Sequence, residues 1–275
     1  MNAIRTITWL TFHEARRRRM VLAALGLGGI FLALFGVGFW LIDSNLREHN
    51  LSATQLRFNY NLLLMAGLYV IHFLTIMLAI FASVDTIAGE ISSHTIQTIV
   101  TKPVRRWQIV IGKWLGYAAM LLIYMTLLGG GVILIVYLRA GYTPPNPAAV
   151  LLLPLEALVL LSLSLLGGTM FSTLTNGVVL FMLYGVAFIG AWVEQIGALL
   201  QSHAAVNVGI VTSLVMPVEA LWRRAAYLMQ PQLLSAIPSP FGGTSPPSQA
   251  MVIYAAAYAA VALGLAVRQF GRRDL

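Results

Sequence analysis

The chain has 275 residues, of which 59% are hydrophobic and only 9% charged, against about 25% charge in a soluble domain. A water-exposed globular surface is excluded, so the medium around this chain is lipid. There is no cysteine, which removes disulfide frameworks, thiolate metal sites and cysteine nucleophiles, and the net charge of +8 flanks apolar runs, a pattern that suits anionic headgroups rather than nucleic acid.

A membrane-spanning helix needs roughly 20 apolar residues, and six segments qualify. Arg16, Arg17, Arg18 and Arg19 precede the first, Met20–Ile42, which carries no charge. Its 23 residues exceed the roughly 7–15 of a signal-peptide core, so it reads as a retained span, with the four arginines as topology and lipid anchors. The second, Asn61–Ser83, is uncharged unless His72 takes a proton. His72 lies near its middle, as a packing histidine or as a ligand.

Between spans two and three stands GEISSHTIQTIVTKPVRRWQIVIGKWLG, residues 89 to 116. Pro103 disfavours helix at Lys102, which splits the segment into a short helix over Ser92 to Thr101 and a second beginning near Pro103. In the second, Trp107, Val110, Ile111, Trp114 and Leu115 share one stripe, with Arg105, Arg106, Gln108 and Lys113 on other faces. That is the pattern of an interfacial helix with Trp107 and Trp114 at headgroup depth, running into span three. The short helix before it is held at the membrane surface, either as part of a topology anchor or as a docking element.

Span three is Leu115–Leu138, whose Gly129–Gly131 run reads as close helix contact or as a hinge. Span four, Ala148–Ser172, contains Glu156 about 12 Å from its start at about 1.5 Å per residue. An ionisable group at that depth is costly and is a functional candidate by default: it lines a path, relays protons, or stabilises helix packing as a hydrogen-bonded group. Nothing in the sequence pairs it with His72. Spans five and six are Gly177–Val193 and Ala250–Val267. Between them, Ala204–Met216 is only 13 residues long and reads as interfacial or re-entrant. VEALWRRAAYLM then places Val218, Leu221, Trp222, Ala225 and Met229 on one stripe, with Glu219, Arg223 and Arg224 elsewhere and Pro217 at the first helical position. It reads as an amphipathic helix on the outer leaflet or capping the bundle. Trp222, Arg223 and Arg224 are candidates for an external gate or partner contact. Residues 231–249 hold five of the eleven prolines and are expected to be irregular.

Six spans place 12 of the 17 Lys and Arg on the side of residues 1–19, 84–114, 173–176 and 268–275, which puts both termini in the cytoplasm. None of the five histidines has another at i+3 or i+4, so no dedicated metal site is expected. The chain contains no G-x-x-x-x-G-K-[ST] phosphate loop. No internal repeat and no soluble domain is visible, and residues 1–275 read as a single transmembrane domain.

Over 85–116 the sequence resembles the coupling region of type 2 ABC transporter permeases, the type V exporter fold. The matching residues are Gly89, Glu90, Thr95, Thr101, Pro103, Arg105, Gly112 and Lys113, and His94 stands where that family commonly has glycine. TITWLTFHEARRRRM resembles the family's amphipathic connecting helix before span one, and the multi-copper-enzyme-maturation branch is the most similar. The resemblance implies an all-α polytopic membrane protein with six spans, a cytoplasmic coupling helix and an external re-entrant region. It implies a permease without catalytic residues of its own, paired with a second permease chain (a homodimer favoured over a heterodimer) and with two ABC ATPase subunits that bind ATP and Mg. It is expected in the bacterial cytoplasmic membrane, moving substrate outward by alternating access. Glu90, Thr95, Ile96, Ile99, Thr101, Pro103, Arg105 and Arg106 are the expected ATPase-coupling residues. The implied pathway runs along spans two and five, where His72, Tyr69 and Tyr184 are the few polar groups, with Glu156 a further candidate. That favours a lipidic or amphipathic cargo. A stand-alone channel or secondary transporter would show inverted repeats, and an intramembrane hydrolase would cluster carboxylates with histidines. Neither accounts for the surface-held helix at 92–101.

Overall fold

The structure, a computed structural model, describes residues 3–49, 51–92, 104–231 and 246–272. It is all-helical, with no strand among the described residues. In chain order, α1 is Ala3–Arg17, α2 Arg19–Glu48, α3 Ala53–Ser83, α4 Asp85–Ser92, α5 Arg106–Ala140, α6 Leu152–Met170, α7 Thr173–Leu199, α8 His203–Val215, α9 Val218–Met229 and α10 Gln249–Arg272. A 3-10 turn, Pro147–Leu151, leads into α6. Six of these helices are long and apolar enough to cross a membrane: α2, α3 with α4, α5, α6 with its leading turn, α7 and α10. The six expected spans map onto them one to one.

Local chemistry marks the helix ends. Ser52 caps α3 in a reciprocal box with Gln55, and Ser172 accepts from the Thr175 amide at the start of α7. Gly141 closes α5 at φ 62°, a left-handed conformation that suits glycine. The helix expected to begin near Pro103 starts at Arg106 and continues without a break through span three. The glycine run of that helix does not act as one unit. Gly131 lies under Leu32, and a methyl group there would stand 2.9 Å from Leu32 Cδ1, whereas Gly130 faces open space.

The bundle has two ends. At the lower end lie α1, the start of α5 and the end of α10, where Arg106 Nη1 donates to the Gly271 carbonyl at 3.3 Å. Both Ala3 and Arg272 are therefore at this end. α1 crosses α5 over Gly112 and Gly116. A methyl group at Gly116 would stand 3.0 Å from the Thr8 carbonyl oxygen, so the small-xxx-small spacing lets the two backbones approach closely. At the upper end, the wholly buried Asp43 gathers Tyr60 Oη at 2.6 Å, Arg47 Nε at 2.9 Å and Arg139 Nε at 3.0 Å. This ties α2 to the start of α3 and the end of α5.

The region between spans five and six is a helical V. α8 runs back antiparallel along α7, with Gly190, Gly197 and Gly209 at the seam. A methyl at Gly209 would lie 2.7 Å from the Gly190 carbonyl. At Met216–Pro217 the chain turns through 111° into α9, with Pro217 just before the first helical residue. α9 climbs back to the upper end, where Asn61 Nδ2 donates to the Met229 carbonyl at 3.0 Å and to Tyr142 Oη at 2.9 Å. Both arms of the V thus open at the same end. The turn lies roughly 16 Å below that end, reckoning about 1.5 Å for each residue from Asn61 to His72 on α3. The first arm, His203–Val215, packs along α7 through Gly209 and Ser213, the two residues of this helix that are buried.

Candidate functional site

The amphipathic reading of α9 needs a correction. Its apolar stripe is buried as expected, but so are Glu219 and Arg223, at 3% and 1% exposure. The helix does not lie on a leaflet; it is inserted, and its polar face meets polar groups of other helices. Trp222 is also buried, so neither it nor Arg223 presents an outward face for a partner. Arg224 is half-buried and donates to the Pro247 carbonyl at 3.1 Å.

Four elements converge on His72. α3 supplies the imidazole, with Tyr69 one turn earlier. α6 supplies Glu156, which is 2% exposed and whose Oε2 faces His72 Nδ1 in a short hydrogen bond. The first turn of α9 supplies Glu219, whose Oε1 lies 3.3 Å from His72 Nε2. The turn at Pro217 fixes that placement, and a carboxylate in a first turn is favoured by the helix dipole. α7 supplies Tyr184, which donates to Glu219 Oε1 at 2.9 Å. Aromatic rings cover the imidazole: Trp222 at 5.2 Å and Tyr69 at 5.7 Å between centroids, with Tyr69 hydrogen-bonded to Trp192 of α7.

One turn along α9, Arg223 meets Glu194 of α7. Nη2 donates to Glu194 Oε2 at 2.8 Å and to Ser213 Oγ of α8 at 3.1 Å, while Nη1 lies 2.7 Å from Oε1. This buried ion pair, with its one charge-assisted hydrogen bond, fastens α9 to the α7–α8 hairpin. The sequence indicated His72, Glu156 and Tyr184 one by one, and the structure brings them together. Glu194 and Glu219 were missed. The available signal was two carboxylates between charge-poor spans, Glu194 just past the expected end of span five and Glu219 on the amphipathic helix. What the His72 trio can do chemically is hold and transfer protons. Among the described residues no group of three or more His, Asp and Glu side chains is arranged to hold a metal ion.

A second constellation lies at the lower end, where α3 passes into α4. Lys113 of α5 is buried and donates to the Thr86 carbonyl at 3.4 Å. Asn176 of α7 donates to the carbonyls of Ser164 at 2.9 Å and Val84 at 3.5 Å. Thr173 donates to Asp85 at 3.2 Å, and Arg18 lies 3.5 Å from the same carboxylate and 2.9 Å from Glu14. Arg18 thus joins the α1–α2 junction to α4, whereas Arg16, Arg17 and Arg19 are exposed. The chain leaves the bundle through this fastened junction and returns at Arg105, which is exposed and precedes α5. Trp107 is exposed, and Trp114 turns to the bundle and donates to Ser162 Oγ at 3.0 Å. The expected coupling residues Thr95, Ile96, Ile99, Thr101 and Pro103 lie outside the described residues, as does the side chain of Glu90. Beside the junction, a groove of about 860 Å³ opens between α2, α3 and α7, walled by Phe81, Phe181 and Met182, with Arg18, Arg19 and Asp85 at its rim.

In comparison with known proteins, the family described as "ABC-2 family transporter protein" matches residues 5–275, and the chain belongs to that family. It is a multi-pass membrane protein and the permease component of an ABC transporter, a role that implies an ATPase partner and places no catalytic step on this chain. No curated protein matches it.

Proposed function

We propose that this permease is the membrane half of an exporter, working as a pair of identical chains above two ATPase subunits that bind ATP and Mg. The observation that carries the reading is the fastened junction at Val84–Thr86. The α1–α2 junction, α5 and α7, with α6 bridged through Asn176, hold the point at which the chain passes from α3 into α4. A push delivered there reaches the bundle through hydrogen bonds and an ion pair rather than through a slack loop. The same end gathers both described termini and the Lys- and Arg-rich segments, which supports its placement in the cytoplasm of a bacterial cell.

In this mechanism Glu90, Thr95, Ile96 and Ile99 dock in a groove of the ATPase. Thr101 and Pro103 shape the return of the chain, and Arg105 and Arg106 fix it against lipid or acidic ATPase side chains. ATP-driven closure of the ATPase pair moves the junction, and the two permease chains rock about their interface. The apolar groove between α3 and α7, with arginines at its rim, supports a lipidic or amphipathic cargo.

The test is purification from native membranes in mild detergent, with mass spectrometry and an ATPase assay. A stoichiometric ATPase is expected to copurify. Ile96→Asp and Glu90→Lys are expected to abolish transport-linked hydrolysis while leaving thermal unfolding of the bundle unchanged. Normal stimulation of the ATPase in both variants, or a chain that arrives without an ATPase, would refute the coupling assignment.

A further inference from the structure

Among the described residues, apart from Asp43 at the upper end and Lys113 at the lower, five acidic or basic side chains are buried in the interior of the bundle: His72, Glu156, Glu194, Glu219 and Arg223, none more than 3% exposed. Glu194 and Arg223 neutralise each other. The remaining three are one imidazole and two carboxyls, and both ring nitrogens of His72 face carboxylate oxygens. Each of those contacts needs a hydrogen. With an imidazolium and two carboxylates both contacts are made, but the trio carries one net negative charge. One more proton removes that charge. A place for it is Glu156 Oε1, a buried oxygen with no hydrogen-bond partner among the described residues. A net charge in the membrane core costs more than a neutral hydroxyl with an unmade hydrogen bond.

We infer that the His72–Glu156–Glu219 trio is a binding site for one proton, and that its occupancy holds α9 in its seat. The groups that face the trio do not supply the missing positive charge. α3 adds the phenol of Tyr69 and α7 that of Tyr184. Arg223 is already taken by Glu194, and the one titratable residue of α8, His203, stands at that helix's first position, near the upper end. On α5, Lys113 is engaged with Thr86 at the lower end. On α10, the charged residues Arg268 and Arg272 lie near that same end.

The link to movement comes from which helix carries which member. His72 and Glu156 belong to α3 and α6, which traverse the bundle. Glu219 belongs to α9, whose two-helix V enters and leaves by the upper end. Loss of the proton leaves a net charge that is relieved when α9 shifts and carries Glu219 toward water at that end. Binding of the proton favours the seated form. The ligand is H⁺, and its release and the displacement of α9 are two sides of one equilibrium.

The chain has no native cysteine, so single-cysteine labelling reports on α9 directly. Ala226, fully buried on α9, is replaced in Ala226→Cys, and the full chain is reconstituted in nanodiscs with a membrane-impermeant maleimide. Rates are divided by those of the exposed control Ser248→Cys, which cancels the thiol's own titration. Between mildly acidic and mildly alkaline pH the normalised rate is expected to rise about tenfold or more, a part of the cost of a net charge in the membrane core. In Ala226→Cys combined with Glu156→Gln, or with Glu219→Gln, the uncharged amide replaces the protonated carboxyl, and the rate is expected to stay low and flat. Infrared spectroscopy of the otherwise unmodified chain is expected to show the carbonyl band of a protonated carboxyl at neutral pH, shifted in D₂O and lost in both Gln variants, where the imidazolium and the one remaining carboxylate already balance. A flat rate in Ala226→Cys, an unchanged rise in both Gln combinations, or absence of that band would overturn the inference. None of these readouts needs an ATPase, so their outcome is separate from that of the export reading.

Discussion

Removing Arg223 tests whether α9 is held by a buried ion pair. Arg223→Met keeps the length and apolar stem of the side chain but strands Glu194, which is 3% exposed. Breaking one side of a buried pair costs about 3–5 kcal/mol. The expected destabilisation is therefore about 3–5 kcal/mol. At about 2–4 °C per kcal/mol for a chain of this size, the apparent Tm drops by roughly 6–20 °C. Glu194→Leu with Arg223→Met removes both charges, and an apolar replacement of a buried pair is near neutral or stabilising, so the double variant should recover most of that loss. The assay is thermal unfolding in one detergent followed by tryptophan fluorescence, for both variants. A single variant that costs under about 1 kcal/mol, or a double variant no better than the single one, would refute the reasoning.

Other perturbations separate packing from coupling. Gly116→Ala places a methyl 3.0 Å from the Thr8 carbonyl and should cost about 1–3 kcal/mol by displacing α1, whereas Gly130→Ala faces open space and should be neutral or stabilise the helix by up to about 1 kcal/mol; thermal unfolding distinguishes them. Asn61→Leu removes the bonds to the Met229 carbonyl and Tyr142, and impermeant-maleimide labelling of Ala226→Cys should rise several-fold at all pH values. Lys113→Met removes the donor to the Thr86 carbonyl, a charged hydrogen bond worth about 1.5–3 kcal/mol. The variant should fold and bind the ATPase, and its ATP-driven transport should fall, measured in proteoliposomes at equal ATPase occupancy.

Hydropathy by itself determined the medium, the six spans and the presence of a short, broken excursion before the last of them. Those features depend on runs of neighbouring residues, and lipid imposes the same demand on each run separately: every backbone group must be satisfied within the helix. Periodicity likewise located the apolar stripe of α9. What only the tertiary structure decided is what covers the other face of that helix. Glu219 and Arg223 read as water-facing because a helical pattern records where polar groups stand and not what they meet. Their partners, Tyr184, His72 and Glu194, come from two other helices, with 147 residues of chain between His72 and Glu219. The same holds for His72 with Glu156, and for Lys113 with the Thr86 carbonyl. Each partner is ordinary within its own segment. In a membrane interior a charged or polar side chain must find a complement, and that complement is chosen by the packing of helices rather than by the order of residues along any one of them.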